Sequence, residues 1–128
     1  MVRAQHPLER DFAAWPRVDR RLYIFDADGT LRRCTVEGQP CPNKPGEWKL
    51  LPGVRDKLSA LADKGRVIAI ASNQAGVALG YMTEADARNL LVDTLTEALS
   101  AMREPLGWDL LHDNIEMCPH APDAGCEC

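Results

Sequence analysis

Two aspartates stand two residues apart in the run Phe25-Asp26-Ala27-Asp28-Gly29-Thr30. An apolar burst, Leu22-Tyr23-Ile24-Phe25, leads directly into them. That pattern reads as a buried strand breaking into a turn. Carboxylates at i and i+2 of such a break can both face a site beyond the sheet edge. Asp26, at the strand end, is placed to attack phosphorus, which splits one hard displacement into two easier ones. Asp28 is placed to protonate the leaving oxygen and later to activate water. The pair also suits magnesium, which offsets the repulsion between an anionic nucleophile and an anionic phosphate. Gly29 permits a tight turn, and the backbone N–H groups at Gly29 and Thr30 could cradle the phosphate. Alone, the run could also be an acidic turn or a calcium-loop fragment, because Asp and Gly are ordinary turn residues. A calcium-binding helix–loop–helix fits less well, since a strand precedes the run and no bidentate acid closes it.

A second segment ends in polar groups after a similar apolar run. Val67-Ile68-Ala69-Ile70-Ala71 is followed by Ser72-Asn73-Gln74-Ala75-Gly76. The continuous apolar character suits a strand of a parallel sheet covered on both faces. Ser72 would supply a hydroxyl donor and Asn73 an amide to the same phosphate. Fixed donors where charge accumulates are the main resource in phosphoryl transfer. The plainer reading of residues 72–76 is a capping turn.

The third cluster lies at the end of the sequence. Cys118-x-His120, five further residues, then Cys126-x-Cys128 supply three thiolates and one imidazole, a complete tetrahedral zinc set. A set with no open position predicts a structural zinc. Free surface cysteines or a redox pair are the alternatives. Cys34 and Cys41 lack a neighbouring histidine and read as plain loop cysteines.

The intervening elements must bring these groups together. Pro52-Gly53 opens a helix carrying Val54, Leu58 and Leu61 on one face, stopped near Lys64-Gly65. Thr83 with Asp86 makes a capping-box-like start for a helix carrying Ala87, Leu90, Leu91, Leu95, Ala98, Leu99 and Met102, with Pro105 and Gly107 expected to end it. A weaker strand falls within residues 113–117. Residues 32–52 carry four prolines and two glycines, which excludes a regular helix or a central strand and predicts a long loop. The order strand, helix, strand, helix, strand predicts an α/β, Rossmann-like parallel sheet with flanking helices. Ligands of such sheets bind beyond the carboxyl ends of the strands, where Asp26 and Ser72 both fall.

Composition sets the bounds. The chain has 128 residues, 45% of them hydrophobic, which fits one domain over residues 21–128 after a polar lead-in at residues 1–20. A formal charge of −4 and a pI of about 5.3 give no basic surplus for a long nucleic acid. No apolar run is long enough to cross a bilayer, and residues 1–21 show no secretory h-region. Five cysteines, an odd number, argue against a disulfide framework. The expectation is a cytoplasmic protein without a membrane partner.

Four segments together carry a resemblance. They are residues 25–31, Leu51-Pro52-Gly53-Val54, residues 72–77, and Cys118-Pro119-His120 with Cys126-x-Cys128. With them the chain resembles subfamily III of the haloacid dehalogenase superfamily of aspartate-nucleophile phosphatases, in the branch of the heptose bisphosphate and histidinol-phosphate phosphatases. The resemblance implies a magnesium-dependent phosphomonoester hydrolase acting on a small sugar phosphate or related metabolite. Asp26 would be the nucleophile, Asp28 the acid/base, and the main-chain carbonyl of Ala27 a magnesium ligand. It implies a structural zinc loop shaping the substrate entrance, and no large cap domain, with residues 32–52 partly covering the site. Such phosphatases continue past Cys-x-Cys with an Arg-Lys-Pro segment and a later acidic motif. By resemblance, residues 22–128 therefore correspond to the N-terminal part of such a domain. A following segment or a second chain would supply the missing lysine, for which Lys44 and Lys49 are weak substitutes. Sugar-phosphate members often carry arginine shortly after the Asn-Gln turn, where this chain has Leu79. The alternatives are a phosphatase acting on a nucleic-acid or nucleotide end, whose relatives share the Asp-x-Asp-Gly-Thr motif, and a non-catalytic, zinc-stabilised phosphate-binding fragment.

Overall fold

The computed structural model describes residues 21–107, 111–121 and 124–128. The expected lead-in at residues 1–20 lies outside them. The first strand, β1 (Leu22–Phe25), is followed by a small hairpin of β2 (Arg32–Cys34) and β3 (Trp48–Leu50). Then come α1 (Val54–Asp63), β4 (Val67–Asn73), α2 (Glu84–Ala98) and β5 (Ile115–Cys118).

β4 is the centre of a parallel three-stranded sheet in the order β1-β4-β5. Leu22 to Phe25 pair with Val67 to Ile70, and Ile70 to Asn73 pair with Ile115 to Cys118. The expected α/β parallel architecture is therefore present, with helices flanking the sheet and no large cap among the described residues. Val67, Ile68, Ala69 and Ile70 are all fully buried, as a central parallel strand requires. α1 and α2 pack against each other and both reach β4. Leu91, Leu95 and Leu99 from the α2 side meet Leu58 and Ala62 of α1 and Ile68 and Ile70 of β4 in one core. Each of these buried leucine and isoleucine side chains contributes roughly 1.5–3 kcal/mol of transfer free energy. Among the described residues β1 pairs on its β4 side only, and its Leu22 and Ile24, two residues apart on one face, are exposed.

Three boundaries differ from the sequence reading. Residues 32–52 are not wholly loop. Two stretches free of proline and glycine form the β2–β3 hairpin, while Pro40, Pro42 and Pro45 fall in its connection and Pro52 lies beyond β3. Ser72 and Asn73 belong to β4 itself, because β5 extends the ladder to them by pairing with Met117 and Cys118. α2 ends at Ala98, well before Pro105. Ser59 of α1 is the reason. Its hydroxyl donates to the Ala98 carbonyl (3.0 Å) and accepts from the Ala101 N–H (3.1 Å), satisfying helix-end groups from outside the helix. The start of α2 agrees with the sequence. Thr83 accepts from the Asp86 N–H, and Asp86 accepts from the Thr83 N–H, a complete capping box. Among the described residues, no helix is long and apolar enough to cross a membrane.

Candidate active site

The carboxyl ends of β1, β4 and β5 meet at one cleft of about 650 Å³. Asp26 and Asp28 line it from β1, Ser72 and Asn73 from β4, and Cys118 from the end of β5, with Cys128 closing one wall. Parallel strands place their carboxyl ends together, so segments nearly fifty residues apart converge.

The turn after β1 is organised around Ala27. Its carbonyl accepts from the N–H groups of Thr30 (3.2 Å), Leu31 (2.9 Å) and Arg32 (3.1 Å). A carbonyl oxygen has two lone pairs, so this one is not placed as a magnesium ligand, contrary to the expectation. The Gly29 N–H donates to the Arg32 carbonyl (2.8 Å). The amides of Gly29 and Thr30 are thus engaged inside the turn and are not presented to a phosphate, a second correction. Gly29 itself sits at φ 82°, a left-handed conformation that suits glycine.

The two carboxylates are held differently. Asp26 is exposed, and its Oδ1 accepts from the Ala27 N–H (2.8 Å). Asp28 is gripped at both oxygens. Arg32 Nε donates to Oδ1 (2.8 Å), Arg32 Nη2 to Oδ2 (3.3 Å), and Gln74 Nε2 to Oδ2 (3.0 Å). The same Gln74 amide donates to Ser72 Oγ (2.8 Å). Because Ser72 accepts there, its own hydroxyl hydrogen is left to point elsewhere. Gln74 therefore ties the β1 turn to the β4 end. Arg32 is fully buried and is itself fixed by Thr94 Oγ1 (2.8 Å) and the Leu90 carbonyl (3.2 Å) of α2.

Arg32 and Gln74 are the site residues that sequence reasoning missed. Gln74 stands inside the quoted turn but shows no chemistry of its own until the strands are paired. Arg32 sits beside Arg33, and only the alternation of β2 sends the first inward and the second outward. Lys49 lines a separate cleft with Arg33 and Arg55. Neither Lys44 nor Lys49 lines the aspartate cleft.

The C-terminal cluster also assembles. The ligand atoms of Cys118, His120, Cys126 and Cys128 all lie within 4.8 Å of one another. Cys118 Sγ is 3.5 Å from His120 Nδ1 and 3.4 Å from Cys126 Sγ, and Cys128 Sγ is 3.3 Å from His120 Nδ1. Tetrahedral zinc with sulfur and nitrogen ligands has edges of about 3.5–3.8 Å, so the four residues fit such an ion with small adjustments. Without metal, the backbone N–H of Cys128 and then the Cys118 thiol hold Cys126 down to about 7. The Cys118 side chain, followed by partial desolvation, pushes Cys128 up to about 12. Among the described residues this is the only group of three or more ligands close enough to share an ion. Cys41 is not part of it. Burial, then the nearby Asp28 charge, raises its pKa and keeps it a thiol.

The segment between β2 and β3 reaches the site. Glu47 anchors it by accepting from the Asn43 N–H (2.9 Å), the Lys44 N–H (3.0 Å) and Gln39 Nε2 (3.1 Å). The Asn43 N–H, then the Gln39 amide, holds the Glu47 carboxyl below its usual range.

A family profile described as polynucleotide kinase 3 phosphatase matches residues 21–112. D-glycero-beta-D-manno-heptose-1,7-bisphosphate 7-phosphatase of Pseudomonas putida is 32% identical over 108 residues, covering 84% of this chain and 56% of that protein. The protein of the same name from Bordetella bronchiseptica is also 32% identical, over 84% of this chain and 55% of its own length. This chain is also similar to a crystal structure of D,D-heptose 1,7-bisphosphate phosphatase from B. bronchiseptica, complexed with magnesium and phosphate. The TM-score is 0.64 and the identity 32%, over 84% of this chain and 55% of that one. The chain thus spans about half the length of the curated relatives it matches.

Proposed function

We propose that this chain, which belongs to the polynucleotide kinase 3 phosphatase family and has a haloacid dehalogenase-like fold, hydrolyses a phosphomonoester carried on a small sugar or related metabolite. The carrying observation is that Asp26, Asp28, Ser72 and Asn73 share one cleft at the strand ends.

The cleft's charge fits a divalent cation. Asp26, Asp28, Glu116 and Glu127 line it, and no lysine, arginine or histidine does so among the described residues. A phosphate dianion would meet only like charge there. Magnesium, when bound, supplies the positive charge that draws the phosphate in and neutralises it. Three of the four acceptor sites of the Asp28 carboxylate have protein donors, whereas Asp26 has one, so Asp26 is the more open side-chain ligand and Asp28 would add its remaining site. Asp26 then attacks phosphorus, and a phosphorus–oxygen bond forms as the ester bond breaks. Asp28, which must first take up a proton in place of its bond to Arg32 or Gln74, passes it to the departing oxygen. In the second half, Asp28 takes a proton from water, the water oxygen attacks phosphorus, and the Asp26–phosphate bond breaks. Ser72, its oxygen fixed by Gln74, directs its hydroxyl hydrogen to a phosphate oxygen, and Asn73 adds an amide. A structural zinc on Cys118, His120, Cys126 and Cys128 would hold the wall of the cleft that Cys118 and Cys128 form.

Phosphate release from p-nitrophenyl phosphate should require magnesium, and Asp26→Asn should abolish it. Activity that persists without magnesium and survives this substitution would refute the mechanism. The absence of a cation from the cleft lining favours one second reading, a phosphate-binding module without turnover. Inorganic phosphate that binds with magnesium while no ester is hydrolysed would select it.

A further inference from the structure

A second cleft, of about 410 Å³, shares no lining residue with the acidic reaction cleft. Three cations from three elements face it: Arg33 of β2, Lys49 of β3 and Arg55 in the first turn of α1. Leu50, Leu51 and Pro52 supply apolar wall, and Asp56 and Glu97 are the carboxylates that reach it.

This gathering of cations stands out in a chain whose formal charge is −4. Arg33 and Lys49 are exposed and stand directly opposite each other in the β2–β3 register, which brings Cβ atoms to about 4.5–5.5 Å. Like charges so placed destabilise a hairpin, and this one has only three residue pairs. The other two, Arg32 with Leu50 and Cys34 with Trp48, alternate to the opposite face. Among the described residues none of Arg33, Lys49 and Arg55 makes an ion pair or a side-chain hydrogen bond, although Asp56 and Glu97 share the cleft. Cations around one concavity sum their fields there, and an anion between them turns the repulsion into attraction.

We propose that this cleft binds the phosphate group of a small phosphorylated metabolite, apart from the reaction cleft. Arg33 offers a planar fork that fits two phosphate oxygens, and Lys49 and Arg55 add further charged donors. Asp56 and Glu97 accept from hydroxyl groups on the carrier. The cleft has the volume of a small-ligand site. Its positive charge belongs to the chain, so binding here needs no metal. The reaction cleft, lined by carboxylates and by no lysine, arginine or histidine among the described residues, takes phosphate only with magnesium. Leaving magnesium out therefore separates the two sites.

The test is a titration of the native chain with glucose 6-phosphate in magnesium-free buffer, followed by amide NMR shifts. The amides of Arg33, Lys49 and Arg55 should move, while those of Asp26, Asp28 and Ser72 stay still. Glucose 6-phosphate should bind more tightly than inorganic phosphate, and Glu97→Leu should narrow that difference. Arg33→Gln combined with Lys49→Gln, both at exposed positions, should lower affinity at least about tenfold, as loss of one charge-assisted hydrogen bond does. Lys44→Gln combined with Lys64→Gln removes the same charge from outside the cleft and should leave affinity within about twofold. Equal losses in the two double variants, shifts centred on Asp26, equal affinity for inorganic phosphate, or tighter binding of a single-stranded oligonucleotide would overturn the proposal. A chain that meets these expectations yet releases no phosphate from p-nitrophenyl phosphate with magnesium would lose the phosphatase reading alone.

Discussion

Replacing Arg32 with alanine is predicted to destabilise the fold by about 3 kcal/mol, although Arg32 lies in a three-residue strand near the surface hairpin. Arg32 has no exposed side-chain area, and its guanidinium spans Asp28 on one side and Thr94 with the Leu90 carbonyl on the other. Removing one member of a buried ion pair costs about 3–5 kcal/mol, because the other charge is left unpaired. Asp28 is 21% exposed and keeps Gln74 as a donor, so solvent and that bond hold the loss to the lower end. Thr94 remains satisfied by its own bond to the Leu90 carbonyl (2.7 Å) and adds little. Urea unfolding should read the loss as a midpoint lowered by about 1–3 M, for a slope of about 1–3 kcal/mol/M. Lysine at this position keeps the charge but not the planar fork, so Arg32→Lys should recover only part of the loss. The paired variant Arg32→Ala with Asp28→Ala should cost at least about 1.5 kcal/mol less than the sum of the two single changes. A loss under about 0.5 kcal/mol for Arg32→Ala, or strict additivity in the cycle, would refute the reasoning.

Metal analysis of the native protein should find about one zinc per chain, as the four-ligand set requires. Cys126→Ser should lower zinc affinity and speed proteolysis after Cys118 without altering the β1 turn; a metal-free native protein would remove the basis for this. In zinc-free protein, Cys126 should react with iodoacetamide with a midpoint near pH 7, whereas Cys128, at about 12, should react slowly throughout the neutral range. The sign follows from the depressed value. The thiolate's contribution to loop order is present above the unfolded value of 9.0 and is lost as pH falls through about 7. Equal labelling profiles for the two cysteines would contradict it. Gln74→Leu should lower kcat about tenfold or more with a small change in KM, because it removes one donor from Asp28 and the donor that orients Ser72 while touching no substrate; unchanged kcat would dismiss the role.

Local chemistry made much of this protein readable. The burst at residues 22–25 and the apolar run from Val67 announce strands because each is short, continuous and closed by polar turn residues. Thr83 and Asp86 mark a helix start because a capping box is an interaction between near neighbours. The Cys118, His120, Cys126 and Cys128 spacing is equally local, so their clustering could be read before any fold was known. The ends of elements were harder. α2 stops at Ala98 because Ser59, thirty-nine residues earlier, captures its last carbonyl, and no window around Ala98 contains that fact. β4 runs on through Asn73 because β5 arrives to pair with it.

The aspartate pair shows the same division. Its residue types and its place at a strand end were legible in the sequence. The carbonyl and amides of the turn looked free on paper, yet folding turns them inward onto one another. Gln74 reaches Asp28 only when β4 docks beside β1, across 46 residues, and Arg32, four residues from Asp28, is fixed on its other side by Thr94 of α2, 62 residues away. Sequence by itself determined which groups could do chemistry, since that depends on side-chain identity and short spacing. Tertiary structure decided which of those groups are held, which are presented and what faces them, since that depends on contacts between segments that no local pattern encodes.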